Sequence, residues 1–236
     1  MTMEPSAFPD LAAVIEAEEF PEVDLALRRG RHIARDDGAW YEFLADAQEP
    51  LEALYRRYGC ELVHKSDGYF YLLPSGEKLP RRQLAAGDML VGQALALLYL
   101  DPATVQNGGL CERDEVLAQL DGILGSDALI RAFHPRRKRY DERVAQQTVR
   151  RKVAEATRRL AGLGFVDLVE GDRLRLRPPL LRFAEPARGA GSPAEALAKL
   201  VAKGEAVMIE DEEPVEGEPA PETHEAPETG GEGGED

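Results

Sequence analysis

Basic side chains are concentrated in residues 131–159, which hold 11 Lys or Arg residues and three acidic residues. Guanidinium and ammonium groups bind phosphate oxygens, so this stretch is a candidate for contact with a nucleic-acid backbone. The candidate residues in its helical part are Arg150, Arg151, Lys152, Arg158 and Arg159.

The apolar residues of the same stretch predict the element that carries these cations. They recur at intervals of three and four residues, which is typical of an amphipathic helix, and the pattern stops at Gly164. The five basic residues lie off this stripe, so one face of the helix can pack while another presents cations to solvent. The stripe consists of Val149, Val153, Ala156, Leu160 and Leu163.

A short strand after this helix repeats the arrangement. Leu174 and Leu176 alternate with Arg173, Arg175 and Arg177, which predicts three guanidinium groups on one side of the strand. Asn and Gln, which read base edges, are scarce here, so we expect weak, salt-sensitive and non-specific DNA binding. The alternatives are that the cations are merely solvated, or that they hold the acidic tail of the chain or an acidic partner.

The acidic residues are concentrated at the C-terminus. The formal net charge is −15, but residues 210–236 hold 12 acidic residues and no Lys or Arg. The rest of the chain has 29 basic and 32 acidic residues, a net charge of −3. The tail is rich in Pro, Glu and Gly and is predicted to be disordered, after a short helix over residues 194–203. The acidic composition therefore does not exclude a nucleic-acid surface.

Few residues have the types and spacing that catalysis or metal binding requires. Cys60 and Cys111 show neither CxxC nor Cys/His spacing, which argues against structural zinc and fits a reducing compartment. The four His residues show no metal-binding spacing, and His32 is predicted to be a structural imidazole. No G-x-x-x-x-G-K-[ST] motif for nucleotide binding is present. We expect no enzymatic activity, no catalytic residue, no metal and no cofactor.

Membrane association is not expected either. The most apolar stretch, residues 89–100, is 12 residues long, whereas a membrane-spanning helix needs about 20. The N-terminus lacks the basic segment followed by an apolar run that is typical of a signal peptide. The expectation is a soluble, cytoplasmic protein.

The first half of the chain predicts two helices and a hairpin. A helix over residues 23–29 is followed by a second one after Gly38, which Pro50 should kink or divide. The hairpin has strands at residues 61–65 and 69–73, joined by a turn that contains glycine.

The same order recurs in the second half with little sequence identity. The elements there are a buried helix over residues 88–100, a helix over 113–124, the amphipathic helix that ends at Gly164, and strands at 165–169 and 173–177. Helices followed by a two-stranded hairpin have the winged-helix order. The predicted fold class is mainly α with small β-hairpins (α+β): tandem winged-helix domains, a short C-terminal helix and a disordered acidic tail.

Aromatic residues are concentrated in the first half. The second helix there carries Glu42, Asp46, Glu49 and Glu52 before Arg56 and Arg57, so it would repel phosphate along most of its length. If this region has a partner, the partner should be a protein. The simplest role of the aromatic residues is in the core. Tyr69 and Tyr71 are the candidates for partner binding on the outer face of the hairpin.

Several motifs, in order from about residue 20 to residue 210, resemble one known family. Each is weak alone, but together they are specific because they are distributed and collinear. They include LRRGRHI at 27–33, GYFYL at 68–72, DMLVG at 88–92, RLAGLG at 159–164 and LRF at 181–183. The family is MukE, the small winged-helix subunit of the bacterial MukBEF condensin.

This resemblance implies a homodimer that binds the kleisin MukF and, through it, the SMC ATPase MukB on DNA. The implied role is chromosome condensation, organisation and partition at the nucleoid, with ATP chemistry left to MukB. Residues 126–143, with the basic run at 136–139, depart most from the family pattern. The predicted divisions are an N-terminal arm (1–19), winged-helix domains (20–85 and 86–185), a C-terminal helical segment (186–209) and the tail (210–236).

Two other functions are compatible with the same patterns. A stand-alone winged-helix transcription regulator would bind one operator far more tightly than random DNA. A related condensin-like complex would have the same architecture but act against plasmids.

Overall fold

The computed structural model describes residues 8–76, 78–79, 83–133 and 142–187. Their buried apolar side chains form two large hydrophobic cores, the first from residues 14–72 and the second from residues 89–184. Among the helices described, none is long and apolar enough to cross a membrane.

Short helices and one small sheet enclose the first core. They are α1 (Leu11–Glu16), α2 (Phe20–Arg28), β1 (Ile33–Ala34), α3 (Ala39–Asp46), α4 (Gln48–Arg57), β2 (Cys60–Lys65) and β3 (Tyr69–Pro74). Helix α1 lies in the predicted N-terminal arm, yet its Val14 is fully buried in the first core. The arm therefore contributes to this core.

The predicted division of the second helix is confirmed. Ala47 separates α3 from α4, so Pro50 lies in the first turn of α4. Backbone N–H groups in that turn have no partner within the helix, and proline is tolerated there. Each of the two helices buries its own apolar face, with Leu44 from α3 and Leu51 from α4 both at 0% exposure.

The second core is enclosed by longer helices and a second small sheet. They are α5 (Ala86–Tyr99), α6 (Pro102–Gln106), β4 (Leu110–Glu112), α7 (Arg113–Leu124), α8 (Ser126–Phe133), α9 (Glu142–Gly162), β5 (Val166–Leu168), β6 (Arg173–Leu176) and α10 (Leu181–Ala187). Helix α5 is buried on most sides, as predicted. The predicted apolar stripe of α9 is buried at every position, from Val149 to Leu163.

Both sheets have the same topology. In the first, β3 lies between β1 and β2, and in the second, β6 lies between β4 and β5, with all pairs antiparallel. The two predicted hairpins are confirmed as β2–β3 and β5–β6. Strands β1 and β4, of two and three residues, are too short for an alternating pattern to reveal them.

Helix α9 ends in a turn that requires glycine. Gly164 has φ +78°, its N–H donates to the Ala161 carbonyl at 3.0 Å, and the N–H of Phe165 donates to the Leu160 carbonyl at 3.1 Å. This pair of hydrogen bonds is the Schellman ending of a helix. The carbonyl of Leu163, the residue before Gly164, accepts neither of these hydrogen bonds and is available to a donor from elsewhere in the chain.

That donor comes from the first core, and the two cores meet at this point. The backbone N–H of His32 donates to the Leu163 carbonyl at 2.8 Å, and Nδ1 of the same residue lies 3.0 Å from that oxygen. The approach is so close that a Cβ on Gly164 would lie 2.3 Å from the His32 carbonyl oxygen. We call the contacts around His32, Leu163 and Gly164 the joint.

The Gly164→Ala variant is expected to be strongly destabilised, because the added methyl group meets backbone atoms of His32. Gly171→Ala is the matched control, with φ +76° and no atom within 4 Å of the added Cβ. Left-handed strain alone costs about 1–2 kcal/mol, which is the loss expected for Gly171→Ala. Urea denaturation should show a free energy of unfolding that falls at least about twice as far in Gly164→Ala. Equal losses in the two variants would contradict this account of the joint.

Candidate functional site

The predicted cationic face of α9 is largely exposed. Arg150, Arg151, Arg158 and Arg159 are exposed, and Lys152 is half-buried. They point to solvent because the apolar stripe of the helix packs against α5, α7 and α8. The predicted orientation of the helix is confirmed, while the predicted binding of DNA stays a prediction.

Carboxylates of this chain already contact some of these cations. Arg150 Nη1 donates to Asp114 Oδ1 at 2.8 Å, and Arg151 Nη1 donates to Glu155 Oε1 at the same distance. The arginine side chain in each pair is 62% exposed. Exposed pairs contribute about 0–1 kcal/mol each, so a phosphate group can replace either carboxylate at little cost.

Arg159 differs from the other cations because its partner is buried. Its Nε and Nη2 donate to Asp88 Oδ1 at 3.0 and 2.7 Å, and the Asp88 side chain is only 5% exposed. Asp88 lies in the first turn of α5, where a carboxylate also interacts favourably with the helix dipole. Arg159 therefore fixes α9 to the start of α5. An acidic residue within an otherwise apolar helix was the sequence signal for this pair.

Strand β6 presents two of the three predicted arginines. Arg173 and Arg175 are exposed, while Leu174 and Leu176 face the second core. The register places Glu112 opposite Arg173 and Asp167 opposite Arg175, and residues opposite each other share a face of the sheet. The outer face of this sheet thus mixes both signs of charge, and its potential is weaker than the sequence pattern of β6 predicts.

Arg177 is not part of the exposed surface, and that prediction is wrong. Its side chain is 1% exposed, contacts the Asp37 carboxylate, and has Nη1 3.5 Å from Asp167 Oδ1. It does follow the alternation of Arg173 and Arg175. However, the turn at residues 35–37 of the first core covers this end of β6. A buried guanidinium needs a carboxylate partner, and Asp37 provides it.

The prediction that Tyr69 and Tyr71 lie on an exposed outer face is also wrong. Their exposure is 0% and 7%. The Arg182 guanidinium lies 4.0 Å from the centroid of the Tyr71 ring, and the His32 ring centroid lies 5.3 Å from it. The alternative role, in the interior, is therefore the one observed. The continuous apolar run at residues 69–73 was the sequence signal for this burial, because strands buried on both faces lack alternation.

The joint determines the state of the His32 ring, which is the structural imidazole that the sequence predicts. Nδ1 faces a carbonyl oxygen, which can only accept, so Nδ1 carries the hydrogen. Nε2 lies 2.7 Å from Arg182 Nη1 and therefore accepts from that guanidinium. The ring is neutral, and it links the first core to Leu163 on one side and to Arg182 on the other.

Protonation of His32 is strongly disfavoured. Burial lowers the pKa of His32 well below its ordinary value of 6.5, and the positive charges of Arg182 and Arg177 lower it further, while the Leu163 carbonyl partly opposes them. A proton on Nε2 would also place two donors against each other. The hydrogen bond from Arg182 to Nε2 therefore requires a neutral imidazole.

The stability of the protein should depend on pH through this ring. Below pH about 6.5 the unfolded chain binds a proton at His32 and the folded chain does not, so the free energy of unfolding falls as pH decreases. The loss begins just below pH 6.5 and continues down to the lowered pKa of the folded state. Urea denaturation at pH 7.5, 6.5 and 5.5 measures it. His32→Gln should flatten the dependence.

The matched control for this measurement is His64→Gln. His64 is exposed, and the lowering of its pKa, caused mainly by burial and then by Arg35, is less pronounced. We expect its replacement to change the pH dependence less than His32→Gln does. The same slope in the wild type and in His32→Gln would contradict the assignment.

The described part of the chain shows neither a metal site nor an activated nucleophile. Its His, Cys, Asp and Glu residues form no group of three that could hold a metal ion. Burial raises the pKa of the Cys111 thiol to about 12 and also raises that of Cys60, so neither thiol is a ready nucleophile. A surface cleft of about 480 Å³ between residues 8–11 and α4 has no His, Cys, Ser or Lys in its lining.

Some predictions concern parts of the chain outside the described residues. They are the basic run at 136–139, the helix at 194–203 and the acidic tail at 210–236.

Comparison with known proteins identifies the family. The family model for the condensin complex protein MksE matches residues 18–188, which include the second core, most of the first core and the joint. The chain belongs to the MksE family of condensin complex proteins. The basic face of α9 and the contacts around His32 both lie within the region that matches the MksE family model.

Curated relatives agree with this assignment. The chromosome partition protein MukE of Shigella flexneri is 36% identical over 204 residues, which cover 85% of this chain and 90% of the relative. MukE of Escherichia coli K12 is also 36% identical, with 85% and 86% covered. MukE of Yersinia pseudotuberculosis is 32% identical, with 85% and 87% covered. The resemblance to MukE in the sequence motifs is therefore confirmed.

Proposed function

We propose that this chain is a non-enzymatic subunit of a bacterial condensin complex that acts in chromosome condensation, organisation and partition at the nucleoid. Membership of the MksE family carries the proposal, because the matched region spans nearly all described residues. The relatives named chromosome partition proteins support it. In this proposal the chain is a homodimer that binds a kleisin of the MukF type and acts with an SMC ATPase of the MukB type.

The topology supports two winged-helix domains at residues 20–85 and 86–185. In each sheet the first strand pairs with the last strand of the hairpin: β1 pairs with β3, and β4 pairs with β6. Strands β1 and β4 therefore hold equivalent positions. In the second domain α9 is then the recognition helix and β5–β6 is the wing. The first domain, with Glu42 and Asp46 on α3 and Glu49 and Glu52 in the first half of α4, is proposed to contact protein.

Weak, non-specific DNA contact is proposed for the second domain. Its exposed cations lie on the recognition helix and on the wing, which is where phosphate contact is made in such domains. Ion pairs with Asp114 and Glu155 reduce the free charge of the helix. Weak, non-specific contact is what a condensin subunit needs, whereas a stand-alone regulator needs strong selection of one operator.

Charge reversal on α9 tests the DNA contact. The triple variant Arg150→Glu, Arg151→Glu and Arg158→Glu should weaken binding of a short duplex at least about tenfold at low salt and make its salt dependence shallower. Fluorescence anisotropy over a range of KCl concentrations measures both effects. Arg159 is left intact because it holds the buried Asp88.

The control for this test is the charge-matched triple variant Arg35→Glu, Arg56→Glu and Arg57→Glu, at exposed positions of the first core. It changes the net charge by the same amount but should bind the duplex more strongly than the α9 variant. Equal affinity of the α9 variant and the wild type would reject DNA contact by α9.

Light scattering coupled to size exclusion tests the condensin assignment. The chain alone should elute as a dimer, and mixing it with the kleisin of its own complex should produce a larger, stable species. A chain that ignores the kleisin and binds one DNA sequence far more tightly than random duplex would instead establish the regulator function.

A further inference from the structure

Three arginines on the exposed side of α9 are available to a further anion. Arg150 and Arg151 each contact one carboxylate, and both arginine side chains are 62% exposed. Arg158 is exposed and has no carboxylate partner among the residues that the structure describes. Arg159 differs because it holds the buried Asp88. We call Arg150, Arg151 and Arg158 the outer arginines.

The carboxylates that contact the outer arginines are themselves accessible to water. The Asp114 side chain is 70% exposed, and that of Glu155 is 34% exposed. Exposed pairs of this kind contribute little net free energy, so another anion can replace either carboxylate. Three cations against two single carboxylates favour an anion that carries several closely spaced charges.

The acidic tail, residues 210–236, has this property. It holds 12 acidic residues and no Lys or Arg, and six of the 12 lie within residues 210–218. These six are Glu210, Asp211, Glu212, Glu213, Glu216 and Glu218. Nine residues in an extended conformation span about 30 Å, and the 21 residues of α9 form a helix about 31 Å long.

The charge spacing of this segment is close to that of DNA. Six charges over about 30 Å give one charge per about 5 Å. One strand of a DNA duplex carries one charge per about 3.4 Å of helix axis. Residues 210–218 therefore offer the outer arginines a polyanion of similar charge density.

The tail begins within reach of α9. The last described residue is Ala187 at the end of α10, and α10 and α9 both pack against α5. Phe183 of α10 lies so close to α5 that a Cβ on Gly92 would be 2.5 Å from its ring. Residues 188–209, which number 22, connect this point to the tail. Even as a helix they would span about 33 Å, which is the length of α9.

We propose that residues 210–218 dock on the outer arginines of the same chain and compete with DNA for them. The docking follows from charge and chain length and does not require DNA. The competition rests on the proposed function, because it presupposes DNA contact by α9. In this arrangement the tail limits non-specific binding, since a duplex must displace it before contacting these cations.

Tethering favours the tail over a free anion. A segment joined by a short linker has an effective concentration of about 1 mM at its site. A contact with a dissociation constant of about 0.5 mM is then formed about two thirds of the time, and it weakens DNA binding about threefold. The acidic residues of α3 and α4 lack this freedom because their helices are fixed in the first core.

A peptide-binding measurement tests the docking without DNA. The protein is the full chain with the six acidic residues of 210–218 replaced by their amides, so that its own tail does not occupy the outer arginines. A fluorescein-labelled peptide of residues 210–218 should bind it at low salt with a dissociation constant of about 1 mM or below. The control peptide, residues 219–236, also has six acidic residues but spreads them over 18 positions. It should bind at least about threefold more weakly.

Charge reversal locates the site of the peptide. Replacement of the outer arginines by Glu in the amide-substituted chain should weaken peptide binding at least about fivefold. The charge-matched control, Arg35→Glu with Arg56→Glu and Arg57→Glu, should weaken it much less. Fluorescence anisotropy measures both. A peptide that does not bind, or that binds both variants equally, would overturn the docking.

Duplex affinity tests the competition. The six amide substitutions in residues 210–218 of the full chain should strengthen duplex binding about threefold at low salt, and the gain should disappear at high salt. The control removes the same negative charge at exposed positions of the first core. Its substitutions are Glu16→Gln, Glu18→Gln, Glu22→Gln, Glu42→Gln, Glu49→Gln and Glu61→Gln. It should gain less, because these residues do not occupy the outer arginines.

The outcomes separate the two proposals. A peptide that binds the outer arginines of a chain that does not bind a duplex supports the docking and rejects only the DNA contact. Equal gains in duplex affinity in the tail variant and in its control would reject the competition, because net charge alone would then explain them.

Discussion

The carbonyl oxygen of Leu163 accepts two hydrogen bonds from His32, and the arrangement of the molecule depends on this contact. It forms because α9 ends in a turn that leaves that carbonyl available and because Gly164 has no side chain. Two further contacts between the cores lie near it, Arg182 above the Tyr71 ring and Arg177 against Asp37. The two cores are thereby held in one relative position.

The joint is polar, and its polarity affects how specifically it fixes the arrangement of the two cores. Apolar contacts tolerate sliding, whereas a buried arginine, a neutral imidazole and a carboxylate each require specific partners at specific distances. Buried ion pairs add little net stability compared with apolar packing, but the loss of one partner is costly. We infer that the joint contributes mainly to the uniqueness of the arrangement.

Much of the fold could be predicted from the sequence, because it depends on local patterns. The stripe of α9, the division near Pro50 and the two hairpins are all visible as spacing or turn chemistry. The errors at Arg177 and Tyr71 have another cause. Arg177 continues a regular alternation and Tyr71 lies in a continuous apolar run, but each is covered by a neighbour more than 100 residues away in the chain. The spacing of residues along one strand does not show which face such a neighbour covers. Asp88 was visible as an acidic residue in an otherwise apolar helix, but the sequence did not show that Arg159 is its partner.

The ion pairs on the exposed side of α9 have a consequence for any polyanion that approaches it. Arg150 and Arg151 already hold carboxylates, so a phosphate would exchange places with an anion of the protein instead of meeting an empty cation. Such an exchange has a small net free energy in either direction. In the proposed DNA contact, such a surface would release a strand as readily as it binds one, which permits displacement along DNA more than residence at one position.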